Sequence, residues 1–187
     1  MKLLITILLL SGCLYAQAQE AIPTNWKVSS GIYYSAENNW GNLGLSLKSE
    51  FSYQFRKTVD VSLLVGAFHS LPELNNEPIF YRNYSSIFTG VSFSHTLVFA
   101  DVNFIRTSAG LIYTNWNSMS VTENLSSGTI YYRPTRQEGN DLGYSLGLEG
   151  GREISEKVAI GFQMSILSYQ IFGDIIMLGV NIHMKLK

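Results

Sequence analysis

The chain has 187 residues and a formal net charge of −1, and its 13 basic and 14 acidic side chains form no long run of one sign. Such a balance offers no electrostatic footprint for nucleic acid, and the length fits one domain. A single cysteine excludes a disulfide framework within the chain.

The N-terminus comes first. Lys2 is followed by the apolar stretch Leu3 to Leu10, too short to span a bilayer as a helix but suited to the core of a signal peptide. Ala16-Gln17-Ala18 supplies small residues at the spacing a signal peptidase reads. Residues 1–18 are therefore expected to be a cleaved signal peptide, and residues 19–187 a single mature domain. A second processing route is open, because Leu10-Ser11-Gly12-Cys13 matches a lipobox in which the cysteine is acylated and becomes the first mature residue. Cleavage after Ala18 removes Cys13, leaving no thiol for metal binding or nucleophilic catalysis.

After residue 18 no apolar run reaches the length of a spanning helix, and the pattern becomes one of alternation. The first strand is expected over Trp26 to Ala36. The second, Leu43 to Arg56, is the most regular: Leu43, Leu45, Leu47, Phe51, Tyr53 and Phe55 share one parity, with Ser49 the exception. Gly44, Ser46, Lys48, Glu50, Ser52, Gln54 and Arg56 share the other. Alternate residues of a strand face opposite sides, so this segment has one apolar and one polar face. The third strand, Val59 to His69, places Leu64 and Phe68 on the polar parity, which means either packing inside a barrel or a register-shifting bulge.

Ser86 to His95 and Phe104 to Asn115 follow, and the link Thr96 to Asn103 is apolar enough that both strands should extend into it. Leu142 to Glu149 and Val158 to Ile166 alternate cleanly around a polar turn, Gly151 to Lys157, and Ile176 to Leu186 closes the series. The even strand count lets both ends lie on one side of a membrane. Arg56 to Thr58 and Gly151 to Lys157 are short turns; Ser70 to Ser85 and Trp116 to Asp141 read as long loops on the opposite side. The fold class expected is all-β, an up-and-down antiparallel transmembrane β-barrel of about eight strands. Averaging lipid-facing and lumen-facing residues explains a mean hydropathy of only +0.10.

Aromatic residues at Trp26, Tyr34, Tyr53, Phe55, Tyr113, Trp116 and Tyr169 fall near strand ends, where girdles form at membrane interfaces. Eight strands enclose a lumen that side chains can fill. Its polar network is expected to comprise Lys27, Lys48, Glu50, Arg56, Asp60, Arg106, Glu149, Gln163, Asn181, His183 and Lys185. Charges of both signs point to a structural ion-pair core, with a narrow gated conduit for small solutes as the alternative. In the long loops, Phe80, Tyr81, Tyr84, Trp116, Tyr132, Arg133 and Arg136 are the candidates for contact with an extracellular protein or glycan. Thr129 to Tyr132 is β-prone and could instead extend a hairpin above the membrane.

No catalytic or metal residues are assigned. His69 and His95 adjoin Ser70 and Ser94, but neighbours in a strand face opposite ways, so neither pair forms a dyad. No ligand spacing or phosphate-cradling glycine pattern suggests a metal or cofactor.

On these residues the chain, over about 26–187, resembles the small eight-stranded bacterial outer-membrane barrels that include the OmpA transmembrane domain, OmpX and OmpW. The resemblance is one of pattern and implies an architecture and an outer-membrane location. Members of that class include structural anchors, adhesion proteins, channels and lipid-modifying enzymes; the His-x-Ser arrangement of the deacylases is absent here. The class usually ends in an aromatic residue, whereas this chain ends Leu186-Lys187. The reading is a monomeric, non-enzymatic, closed barrel in outer-membrane lipid that presents loops. A secreted soluble barrel with its apolar face inward is the rival.

Overall fold

The structure is a computed structural model that describes residues 26–37, 43–71, 82–99, 102–126, 129–170 and 173–186. The expected signal peptide, Cys13 and the loop candidates Phe80 and Tyr81 lie outside the described residues. Eight strands are present: β1 (Trp26–Glu37), β2 (Leu43–Arg56), β3 (Val59–Ser70), β4 (Arg82–Phe99), β5 (Asn103–Ser126), β6 (Thr129–Glu153), β7 (Val158–Tyr169) and β8 (Gly173–Lys185). Each pairs antiparallel with its sequence neighbours, and β8 pairs with β1 to close the barrel. Closure leaves no open edge in the barrel wall.

Following the register from Trp26 through Tyr53, Val61, Phe93, Ala109, Leu146, Ile166 and Ile176 returns to β1 at Ala36, ten residues further along. That stagger tilts the strands by roughly 35–45°. The β2–β3, β4–β5 and β6–β7 turns lie at the same end as Trp26 and Lys185, here called the turn end; the other is the hairpin end.

Alternation sets what faces where. Ile32, Leu63, Leu111 and Leu142 are 62–74% exposed on the outside, whereas their strand neighbours Tyr33, Leu64 and Ile112 are buried inside. The apolar parity therefore faces outward, opposite to a soluble barrel. Leu64 and Phe68 are interior packing residues, and β3 keeps its register around them. Phe88 sits against Gly66, and Phe68 against Gly44, where a Cβ would collide with the rings. These glycines let large interior side chains lie flat on the neighbouring strand.

The apolar link is strand, as expected: β4 runs to Phe99 and β5 starts at Asn103. The segment Trp116 to Asp141 is not a loop. β5 continues to Ser126 and β6 begins at Thr129, paired residue by residue from Asn115↔Asn140 to Ser126↔Thr129. β5 gains support from β4 up to Ser120, but β6 meets β7 only from Gly143 onward. Thr129 to Leu142 thus has one edge without a partner strand among the described residues. A ladder along its full length with β5 holds this polar segment extended where hydrophobic alternation no longer does.

Candidate functional site

The lumen is filled in two layers. Towards the turn end, inward positions of several strands bring ionic groups together. Arg106 on β5 reaches Glu50 on β2 at 2.7 Å and Glu149 on β6 at 3.6 Å. Lys48 also holds Glu50, at 3.0 Å, and His183 Nε2 on β8 contacts the second oxygen of Glu149. Lys27 pairs with Asp60 at 3.2 Å nearer the mouth. Lys48, Glu50, Arg106 and Glu149 are all at most 6% exposed. Buried charges of this kind are tolerated only when opposed and hydrogen-bonded, and two cations here balance two carboxylates.

A neutral cluster continues the network. Gln163 Oε1 accepts from Lys48 Nζ at 2.9 Å and from Asn181 Nδ2 at 2.6 Å. The Tyr33 hydroxyl lies against both Gln163 and Asn181, and the Lys48 ammonium stands 5.3 Å from the Tyr33 ring centroid. Small inward residues opposite, among them Ser92, Ser108, Ser145 and Ser165, leave a cavity of about 10 Å³.

Above this lies an apolar and aromatic layer built from Phe68, Phe88, Ile112, Leu167, Ile175 and Met177, with Tyr84, Trp116 and Tyr169 towards the hairpin end. Phe68 and Tyr84 meet at 5.5 Å between ring centroids. Phe88, Ile175 and Met177 are lumen residues that the sequence reading does not single out, although parity with their serine and glycine neighbours carries that information.

Several expectations need correction. Arg56 is exposed and outside the network, because the β2–β3 register shifts between Gln54 and Arg56. Lys185 is 44% exposed at the mouth and pairs with Glu153 at 2.9 Å rather than with the interior charges. Tyr84 and Trp116 are not loop contacts but buried lumen residues, and Trp116 and Tyr169 do not belong to an outer girdle. Each sits an odd number of positions from an outward residue, so strand alternation turns it inward. Arg136 is exposed on β6 and pairs with Glu138 at 3.3 Å. Tyr132 and Arg133 lie on β6, and their side chains are outside the description.

Chemically the described part of the lumen holds charge pairs. His69 and His95 are not buried, while Ser70 and Ser94 are buried on the opposite face. Among the described residues no group of three His, Cys, Asp or Glu side chains is placed to hold a metal ion.

A closed, eight-stranded antiparallel barrel with an apolar exterior and a packed polar interior is the architecture of small outer-membrane barrels. Neisserial surface protein A has this fold, with a TM-score of 0.60, 11% identity and coverage of 87% of this chain and 97% of its own. A major outer membrane protein from Thermus thermophilus gives 0.57 at 12% identity, covering 85% and 97%. The N-terminal β-barrel domain of Pseudomonas aeruginosa OprF gives 0.51 at 14% identity, covering 86% and 98%. No protein-family profile and no curated protein sequence matches the chain.

Proposed function

We propose that this chain is an exported outer-membrane barrel whose lumen is a closed structural core and whose hairpin end is its working surface. The observation that carries the reading is the double filling of the lumen: an ion-paired layer and an apolar layer lie in series along the axis. A permeating solute would have to displace both. The exterior supports a bilayer location, because strands of 12 or more residues with an apolar outer parity are long enough to cross hydrocarbon when tilted. The leader at residues 1–18 supplies the export route.

With the lumen read as a closed core, the projecting β5–β6 hairpin is the feature left to act. Its Thr129 to Leu142 stretch has β5 along one side and no partner strand along the other among the described residues, the kind of edge to which an extended partner can add. Arg136 and the aromatic pair Tyr131 and Tyr132 belong to the same segment.

A narrow conduit is the competing reading, favoured by the serine-lined cavity beside Lys48 and Glu50, whose volume suits about one water molecule. Planar-bilayer recordings on folded protein decide between them. The closed barrel gives no discrete conductance steps; reproducible steps that scale with protein concentration overturn it.

A further inference from the structure

We propose that the β2–β3 turn and the outer groove beside it form a phospholipid site, with an acyl chain in the groove and an anionic headgroup phosphate on Arg56 and Lys57. The proposal rests on the membrane reading given above.

The groove is built on the barrel's outer surface by Trp26, Phe51, Tyr53, Val61 and Leu63. Trp26 stacks on Phe51 with centroids 4.5 Å apart and planes 19° apart, and tilts over Tyr53 at 4.9 Å. This triad makes one wall. Val61 and Leu63, the register partners of Tyr53 and Phe51, make the other. An aromatic wall at the end of an apolar band marks the level where acyl chains give way to headgroups.

The cations stand at that level because of the bulge. Regular alternation would send Arg56 into the lumen beside Asp60, but the register shift between Gln54 and Arg56 leaves it exposed. Bulges re-aim side chains in this way. Gln54 Nε2 then donates to the Lys57 carbonyl at 2.8 Å, fixing the turn. Asp60, the register partner of Gln54, is already held by Lys27. Among the described residues neither Arg56 nor Lys57 has an ion-pair partner, in contrast to Lys185 with Glu153. Two uncompensated cations below an acyl-sized groove are complementary to a lipid with net negative charge.

Trp26 reports directly on the groove. With Trp40→Phe and Trp116→Phe it becomes the sole tryptophan of the three in the chain. The full barrel is inserted into vesicles containing lipids brominated on the acyl chain, either phosphatidylglycerol or phosphatidylcholine, and quenching is measured. The expected result is stronger quenching by the brominated phosphatidylglycerol, a relative association about fivefold higher for each cation engaged. Arg56→Gln with Lys57→Gln should make the two lipids equivalent, while Arg152→Gln with Lys157→Gln at the β6–β7 turn leaves the preference intact. Equal quenching in the parent protein, or a preference that survives the first pair or vanishes with the second, overturns the site. Failure to insert, seen as migration on gels unchanged by heating, strikes the membrane reading itself.

Discussion

Arg106 is the side chain on which the interior charge balance turns. Among the described residues it alone joins the carboxylates of β2 and β6, at 2.7 and 3.6 Å, from a position only 6% exposed. Arg106→Met keeps the bulk and removes the charge, leaving Lys48 as the one buried cation of this cluster against Glu50 and Glu149. The expected cost is about 3–5 kcal/mol, read as a lowered urea midpoint for the barrel folded in vesicles. Arg106→Met combined with Glu149→Gln restores neutrality while Lys48 still opposes Glu50, and should recover most of the loss. Additive costs would show that charge balance is not what Arg106 supplies. Lys48, Glu50, Arg106 and Glu149 were all legible as lumen residues, since parity is a local property that the sequence states directly. Arg56 was not, because one inserted residue in the ladder reverses parity and leaves no compositional trace.

At the scale of elements, alternation located every strand but not where the longest ones stop. Within the bilayer the solvent enforces the period: an outward polar or inward unpaired charged residue is costly, so Leu43 to Arg56 reads cleanly. Beyond it the outer face of β5 and β6 meets water, and the same extended backbone carries Asn115, Asn117 and Asn140 with no penalty. Such composition looks like a loop. What keeps it a hairpin is pairing between β5 and β6, which registers 24 residue pairs from Asn103↔Arg152 to Ser126↔Thr129. The consequence is testable. Replacing residues 121–134 by a two-residue Asn-Gly turn joins β5 to β6 just above the barrel and touches none of the β6–β7 ladder, which begins at Gly143. The shortened protein should keep the parent's heat-modifiable migration and urea midpoint, and lose any surface partner that binds the hairpin edge. A large fall in midpoint would mean that the hairpin is part of the barrel's folding unit instead.

For the whole molecule the deciding quantity is which face of the sheet is apolar. Period-2 alternation is the same in a lipid-embedded barrel and in a soluble barrel turned inside out; alternation therefore establishes the sheet before it establishes the environment. Side-chain chemistry breaks the symmetry. An inward apolar parity would expose Lys48, Glu50 and Arg106 to water as isolated groups; the observed arrangement instead neutralises them against one another inside, with Leu111 74% and Leu142 66% exposed outside. Each fully exposed leucine in water forgoes about 1.5–3 kcal/mol of burial, and a belt of them around eight strands would drive aggregation unless lipid covers it. Two outcomes follow for the full chain. It should fractionate with outer-membrane lipid and require detergent for extraction, and the extracted barrel should run faster on gels unheated than after boiling, because a closed, hydrogen-bonded barrel resists detergent denaturation. Recovery in a detergent-free periplasmic fraction with a single heat-independent band would reverse the assignment of the two faces and, with it, the roles given to the lumen and the hairpin.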